Sequence, residues 1–108
     1  IVIDGGSRDL DETRVMGFPL FVRHSLPVTG RRRVRVVATH IPIRLDGIDV
    51  APGDILVGDD TGVVRIPCSA ITEVAARAAI IDARDRRVRE LIESGVGFTE
   101  AFRQASKS

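Results

Sequence analysis

The chain has 108 residues, of which 44% are hydrophobic, with 16 basic against 15 acidic side chains. This length bounds it to one domain of ordinary size, and the balanced charge gives no bias toward nucleic acid or another polyanion. The single cysteine excludes an internal disulfide and a cysteine-based zinc site. No apolar run in the sequence approaches the roughly 20 residues that span a bilayer, so we expect a cytoplasmic protein without a membrane partner.

The first nine residues, IVIDGGSRD, carry the strongest local signal. Residues 1–3 are typical of the end of a buried strand, and Asp4-Gly5-Gly6 is predicted to form a tight turn, because glycine reaches positive φ without steric cost. Arg8 and Asp9 follow at once. Arginine binds carboxylates through paired hydrogen bonds, and a lone aspartate suits Mg²⁺, which keeps most of its waters.

Arg8 and Asp9 could therefore hold a small oxoacid and a metal ion together. The alternative is a surface turn in which Asp9 caps a helix or forms a salt bridge. Because Ile1 is not a methionine and stands within a predicted strand, we also expect further sequence upstream.

Short apolar runs separated by turn signals predict a β-rich region that extends to Pro67. The predicted strands cover residues 18–23, 34–39, 41–45, 48–50, 55–57 and 63–66. Turns are predicted where glycine, proline, aspartate or a basic run interrupts them, at residues 28–33, 46–47, 51–54 and 58–62. We therefore predict an α/β chain whose β-rich part precedes a helical tail.

A long helix is predicted after Pro67. Ser69 is the expected N-cap, Glu73 suits the helix dipole, and Gly95 and Gly97 are expected to end the helix. The apolar positions, in steps of three and four, are Ile71, Val74, Ala78, Ile81, Val88 and Ile92. A helix of about 25 residues would be roughly 37 Å long, more than so small a sheet covers, so part of this stripe is expected to pack on another subunit. A second helix is expected over residues 99–105.

Asp85 occupies the stripe position between Ile81 and Val88. A carboxylate in an apolar stripe needs a partner, because burying an isolated charge is costly. Two alternatives remain open at this stage. Either the stripe passes Asp85 at the surface, or Asp85 faces a wet pocket between subunits.

Other polar residues give weaker signals. Asp54 is expected to close a turn through hydrogen bonds with its own backbone. Asp59 and Asp60 could be paired acid/base carboxylates or metal ligands, although acidic residues in a hairpin loop are the commoner case. The basic cluster at residues 31–33 and Arg35 has no interleaved aromatics for base stacking, which favours a solvated hairpin tip over an RNA contact.

Several motifs, in this order, resemble the RraA-like family. They are DGGSRD at residues 4–9, IPI at 41–43, DGIDV at 46–50, PGDI at 52–55, DDTGVV at 59–64 and IP at 66–67. That family includes the 4-hydroxy-4-methyl-2-oxoglutarate aldolases and has often been mislabelled as demethylmenaquinone methyltransferase. The resemblance implies one RraA-like domain over residues 1–108, lacking its N-terminal segment. It also implies a swivelling β/β/α fold, assembled as a trimer or a pair of trimers with the active site between subunits.

The resemblance also implies roles for individual residues. Arg8 matches the residue that binds the pyruvyl carboxylate and carbonyl of a 2-oxoacid, and Asp9 matches the protein ligand of Mg²⁺ or Mn²⁺. The implied reaction is retro-aldol cleavage of a 4-carboxy-4-hydroxy-2-oxoacid with release of pyruvate, and oxaloacetate decarboxylation is a related activity. Family aldolases recruit an acid from the C-terminal region of a neighbouring subunit. Asp85 is the catalytic candidate for that role, with Asp82 as the alternative.

Two departures from the family pattern support a second hypothesis. A glycine-rich segment that family active sites use upstream of the Arg-Asp pair lies outside these 108 residues. Where the family tends to have glutamate in the helix, this chain has the shorter aspartate. Because family members without the full acid set are regulators that bind ribonuclease E, the resemblance also implies an alternative: a non-catalytic RraA-like regulator that binds ribonuclease E or another protein.

Overall fold

The structure is a computed structural model that describes residues 1–106. The chain divides into two compact units, Ile1–Cys68 and Ser69–Ser108. Among the described residues, the first unit contains the six strands and one short helix, and the second unit is helical. The predicted α/β class with a helical tail is therefore confirmed, whereas the swivelling β/β/α arrangement stays a prediction. Within the described part of the chain, no helix is long and apolar enough to cross a membrane.

The first unit begins with a strand, a helix and a second strand. These are β1 (Val2–Ser7), α1 (Leu10–Val15) and β2 (Phe21–Ser25), and the two strands pair in parallel. The pairing runs from Val2 opposite Phe21 to Ser7 opposite Ser25. The carboxyl ends of both strands consequently lie at the same edge.

Two antiparallel hairpins complete the first unit. In one, β3 (Ile43–Leu45) pairs with β4 (Ile48–Val50), and in the other, β5 (Ile55–Asp59) pairs with β6 (Gly62–Ile66). The first hairpin turns at Asp46 and Gly47, whose φ values of 48° and 80° are those of a type I′ turn. This confirms the turn predicted there from the Asp-Gly pair.

One arginine joins the parallel pair to the first hairpin. The Arg23 guanidinium donates hydrogen bonds to the carboxylates of Asp4 and Asp46, the latter at 2.6 Å. The Asp46 amide donates to the second carboxylate oxygen of Asp4 at 3.0 Å. These bonds hold the pKa of Asp4 below its ordinary value, chiefly through Arg23 and then through the Asp46 amide. We call this group of three residues the Arg23 clasp.

The second unit is a pair of helices joined by a tight turn. These are α2 (Ile71–Glu93) and α3 (Phe98–Ala105). The Gly95 amide donates to the carbonyl of Ile92 at 2.9 Å, and the Val96 amide to that of Leu91 at 3.0 Å. Gly95 has a φ of 93°, so the helix ends in a Schellman motif, as a glycine at this position predicts. The core consists of Val88, Leu91, Ala101 and Ala105.

Several predictions near the N-terminus are wrong. β1 continues through Asp4, Gly5 and Gly6 instead of turning there, with an irregular register between Ile3 and Gly6. A Cβ at Gly6 would overlap the Leu26 side chain, so the absence of a side chain at this position lets Leu26 pack closely against β1. Gly6 was predicted to form a turn instead. The strand predicted over residues 18–23 is shifted and spans Phe21–Ser25.

The strand predicted over residues 34–39 is also wrong. Residues 31–33 form a turn in which the amides of Arg33 and Val34 donate to the Gly30 carbonyl, and residues 34–42 lie outside the strands and helices of the described chain. Val34, Val36 and Val37 are at least 77% exposed. The alternating apolar pattern of this segment suits a β-strand. A strand, however, needs backbone hydrogen bonds to a neighbouring strand, and no strand within residues 1–106 pairs with this segment.

The predicted start of the long helix is wrong in one respect. Ser69 lies in a short 3-10 helix (Cys68–Ala70), and Ala70 takes the N-cap position without a side-chain bond. The apolar stripe is only partly buried, since Ile81 and Ile92 are 50% and 41% exposed. Leu91, outside the predicted stripe, is buried because α3 packs on that side of α2. Packing of the exposed stripe on another subunit stays a prediction.

Candidate functional site

The backbone between β1 and α1 presents the two strongest candidate residues. Arg8 follows Ser7, the last residue of β1, and Asp9 precedes the first residue of α1. Asp9 has φ 59° and ψ 35°, a left-handed conformation, and its carbonyl accepts a hydrogen bond from the Thr13 amide at 3.1 Å. Aspartate tolerates this region better than most residues, because its short polar side chain meets little steric conflict. One such residue turns the chain from strand to helix.

Arg8 and Asp9 form an ion pair with each other. The Arg8 Nε lies 2.9 Å from the Asp9 Oδ2, and the two side chains are 57% and 56% exposed. Pairs this exposed contribute little to folding stability. A carboxylate has about four acceptor positions and a guanidinium has five donors, so the pair leaves both groups with capacity for a ligand.

An open groove of about 330 Å³ lies at this edge of the sheet. It is lined by Arg8, Asp9, Leu10, Asp11, Glu12, Ser25, Leu26 and Pro27. The Leu26 amide donates to the Ser7 carbonyl at 3.0 Å, which keeps the residues after β2 beside those after β1. Ligands of parallel sheets bind outside the carboxyl ends of the strands, and the groove occupies that position.

The groove offers a suitable donor set for a hard divalent cation. Asp9 contributes a solvent-accessible carboxylate, and Asp11 and Glu12 line the same groove. Oxygen donors suit Mg²⁺ and Mn²⁺, and Mg²⁺ is commonly held by one or two carboxylates while it keeps several waters. Among residues 1–106 no three acidic, histidine or cysteine side chains converge on one point. Asp9 would therefore hold such an ion alongside water and substrate oxygens.

The two candidate acids of the long helix lie in the second unit. Asp85 is 58% exposed and pairs with Arg84 at 3.2 Å, and Asp82 is 68% exposed and pairs with Arg86 at 3.1 Å. Within this single chain, Asp85 therefore lies at the surface of the helix, which was the first of the two alternatives considered for it. Its catalytic role stays a prediction, as does the role of Asp82.

Asp54 and Asp59, two of the other acidic candidates, form hydrogen bonds within local turns. Asp54, whose side chain is 3% exposed, accepts hydrogen bonds from the Arg65 guanidinium at 2.7 Å and from the amides of Ala51 and Cys68. These bonds, the Arg65 bond first, lower its pKa to about 2, and the Ala51 bond confirms that Asp54 closes the predicted turn. The hydroxyl and amide of Thr61 lower the pKa of Asp59 in the same way, so Asp59 stays ionised as a turn-forming residue.

Sequence reasoning missed Ser25 as part of this groove. The signal that could have found it is the parallel pairing of β1 and β2, which places the ends of both strands together. The shifted boundary of β2 concealed it, because a strand that ended at Arg23 would have left Ser25 in a loop.

Comparison with known proteins decides the family. The family model RraA-like (Aldolase/RraA) matches residues 1–65. The chain belongs to the RraA-like family. Among its relatives, an uncharacterized protein of Methanocaldococcus jannaschii is 34% identical over 95 residues, and a putative 4-hydroxy-4-methyl-2-oxoglutarate aldolase of Halalkalibacterium halodurans is 29% identical over 101 residues. The alignments cover 88% and 94% of this chain but 45% and 48% of those proteins.

Two further proteins are similar to most of this chain. Protein DlpA of Legionella pneumophila is 30% identical over 100 residues, which are 93% of this chain and 16% of that protein. A crystal structure of an uncharacterized protein from Pseudomonas syringae superposes with a TM-score of 0.83 at 35% identity, covering 92% of this chain and 50% of that one. The chain thus spans about half the length of the Methanocaldococcus, Halalkalibacterium and Pseudomonas proteins, and a smaller share, 16%, of DlpA.

Proposed function

We propose that this protein is a divalent-metal-dependent lyase that cleaves 4-carboxy-4-hydroxy-2-oxoacids by a retro-aldol reaction, releases pyruvate and also decarboxylates oxaloacetate. The observation that carries this proposal is the ion pair of Arg8 and Asp9, exposed in a groove at the carboxyl ends of two parallel strands. Membership of a family with an aldolase-named relative supports it. A small 2-oxoacid needs one cationic and one metal-holding group, and the groove presents both.

Arg8 binds the substrate in this proposal. Its guanidinium presents paired donors to the carboxylate of the 2-oxoacid and to the adjacent 2-oxo oxygen, where negative charge grows as the reaction proceeds. Asp9 would hold Mg²⁺ or Mn²⁺, which when bound supplies Lewis-acid polarisation of that oxo group. Because the two side chains are neighbours in sequence and in contact, they orient the reacting carbonyl together.

The bond that breaks lies between C3 and C4 of the substrate. A base removes the proton of the C4 hydroxyl, C4 becomes a carbonyl, and the electrons of the broken bond form the enolate of pyruvate. Protonation at C3 then gives pyruvate. Asp85 of a neighbouring protomer is proposed as that base, with Asp82 as the alternative, and the exposure of both carboxylates on α2 supports their availability to a second chain. This step requires a homo-oligomer, proposed as a trimer or hexamer with an active site between subunits.

The test is pyruvate release from 4-hydroxy-4-methyl-2-oxoglutarate and from oxaloacetate, with and without Mg²⁺ or Mn²⁺, using the longest product of the gene. Asp9→Asn preserves the size of the side chain and removes its charge, and we expect turnover to fall on the order of 100-fold or more, as when a charge-stabilising group is lost. The matched control is Asp49→Asn, at an 83% exposed site on β4. Binding of Mn²⁺, followed by water-proton relaxation, should weaken in the Asp9 variant alone.

A well-folded oligomer with no turnover would overturn the proposal. In that case the second candidate function, a non-catalytic protein-binding role, becomes the better account. The observation that favours this candidate is the exposed apolar segment with Val34, Val36 and Val37 outside any strand of the described chain. Substrate-independent protection of those amides by a bound protein would support it.

A further inference from the structure

We propose that the Ser25 hydroxyl binds the second carboxylate of the substrate, the one carried by C4, and thereby selects dicarboxylic 2-oxoacids over monocarboxylic ones. This inference rests on the proposed function, because it assumes that Arg8 and Asp9 hold the 2-oxo end. It adds a residue from the neighbouring strand to that site. Ser25 would be a substrate-binding residue that discriminates between ligands.

The position of Ser25 follows from the parallel register. Ser25 is the last residue of β2 and lies opposite Ser7, the last residue of β1, one position before Arg8. Neighbouring strands lie about 4.8 Å apart, so the residues that follow the two ends are separated by roughly the span of a small dicarboxylate. The groove at these ends is lined by Arg8 and Asp9, which follow β1, and by Ser25, the last residue of β2.

The hydroxyl of Ser25 is available for such a bond. The Ser25 residue is exposed, and no hydrogen bond engages its hydroxyl within residues 1–106. The neighbouring Ser7 hydroxyl, by contrast, donates to the Arg8 carbonyl at 3.3 Å. A free hydroxyl can donate its proton to a carboxylate oxygen, and hydrogen bonds to charged groups are stronger than those between neutral partners.

The geometry assigns different ends of the ligand to different residues. A 2-oxo monocarboxylate such as pyruvate would contact Arg8 and Asp9 alone, because it has no group to reach the end of β2. A dicarboxylate such as 2-oxoglutarate places its second carboxylate as the aldol substrate does, yet it has no C4 hydroxyl and cannot be cleaved. Comparing the affinities of pyruvate and 2-oxoglutarate therefore separates the contribution of Ser25 to ligand binding from that of Arg8 and Asp9.

The experiment measures the dissociation constants of 2-oxoglutarate and pyruvate, with Mg²⁺ present, for the native protein, Ser25→Ala and Ser25→Thr. We expect Ser25→Ala to weaken 2-oxoglutarate binding about tenfold, as for loss of a hydrogen bond to a charged group, and to leave pyruvate binding unchanged. Ser25→Thr, which keeps the hydroxyl, should restore most of the loss. In turnover, Ser25→Ala should raise KM for 4-hydroxy-4-methyl-2-oxoglutarate more than it lowers kcat. The control is Ser106→Ala, which removes a hydroxyl that bonds the Phe102 carbonyl in α3.

The outcomes distinguish the two proposals. If the native protein binds pyruvate and releases it from substrate, but Ser25→Ala keeps native affinity for 2-oxoglutarate, the role of Ser25 is overturned and the proposed function stands. Equal weakening of both ligands also overturns it, because the hydroxyl then acts on the shared 2-oxo end or on local structure. If the native protein neither binds pyruvate nor turns over substrate, the proposed function fails and the role of Ser25 fails with it.

Discussion

Asp54 and Arg65 join the start of the second hairpin to its returning strand through a 2.7 Å bond between the Asp54 carboxylate and the Arg65 guanidinium. The carboxylate also accepts the amide of Cys68, which follows the hairpin. Its pKa of about 2 lies below the ordinary aspartate value of about 4, so the folded state favours the ionised form. The stability that the Asp54–Arg65 bond gives to the fold therefore depends on pH.

The first prediction concerns that linkage. A carboxyl whose folded pKa is depressed stabilises the fold fully above its unfolded pKa, and this contribution disappears as pH falls through the folded value. We expect the unfolding temperature of the native protein to decrease between about pH 4 and pH 2. Asp54→Asn should unfold at a lower temperature at pH 7 and should lose much of this dependence on pH. Thermal unfolding followed by circular dichroism measures both effects, and Asp49→Asn, at an exposed site, serves as the control. A native-like pH profile in Asp54→Asn would contradict the prediction.

The second prediction separates the backbone of Asp9 from its carboxylate. Since Asp9 has a φ of 59°, glycine should be accepted there more readily than alanine, which lacks both a polar side chain and freedom at positive φ. We expect Asp9→Gly to be more stable than Asp9→Ala by about 1 kcal/mol in urea unfolding. Both variants should lose metal-dependent turnover equally. Unequal losses of activity would mean that the turn, and not the carboxylate, sustains the reaction.

The third prediction concerns the close approach of β2 and β5. A Cβ added at Gly58 would lie 2.5 to 2.9 Å from three atoms of the Phe21 ring. Overpacking of this kind typically costs about 1 to 3 kcal/mol, so Gly58→Ala should lower the free energy of unfolding by that amount. Gly5→Ala is the matched control, because its added Cβ would make only an ordinary 3.7 Å contact with Ile3. The same Gly58 substitution should be less harmful in a Phe21→Leu background, and an undiminished cost there would argue against the ring as the cause.

The fourth prediction compares two glycines between α2 and α3. Gly95 has a φ of 93° and Gly97 a φ of −62°, and a Cβ at either position would meet nothing within 4 Å. Any difference between their alanine variants thus comes from backbone conformation. We expect Gly95→Ala to destabilise the helix pair by about 1 kcal/mol and Gly97→Ala by less. Equal costs in chemical denaturation would show that the Schellman motif does not depend on glycine.

Local chemistry predicted the features of this chain that depend on few residues. Asp46 and Gly47 specify a type I′ turn whatever surrounds them, and Gly95 ends α2 because only glycine readily adopts the required φ. Asp54 was expected to close a turn through its own backbone, and it does close that turn, although its carboxylate accepts the Ala51 amide.

Features that depend on distant partners were less predictable. Gly6 was predicted to form a turn, but a glycine is needed there because the Leu26 side chain packs against β1. That contact arises from the parallel pairing of β1 and β2. The valines of residues 34–37 have the pattern of a strand without a partner strand among residues 1–106. At the site, the resemblance indicated Arg8 and Asp9, whereas Ser25 required the pairing of β1 with β2. A site residue that comes from another strand can be identified only when the order of strands in the sheet is known.

The Arg23 clasp also bears on the order in which the chain folds. The bond between the Asp46 amide and the Asp4 carboxylate spans 42 positions in sequence, whereas the hairpins β3–β4 and β5–β6 close over a few residues. Closing a longer loop costs more chain entropy, and contacts of high sequence separation slow folding. We therefore expect the hairpins to form early and the clasp late. Removal of the Arg23 guanidinium would then accelerate unfolding more than it slows folding, so the clasp contributes to the lifetime of the native state and little to the folding rate.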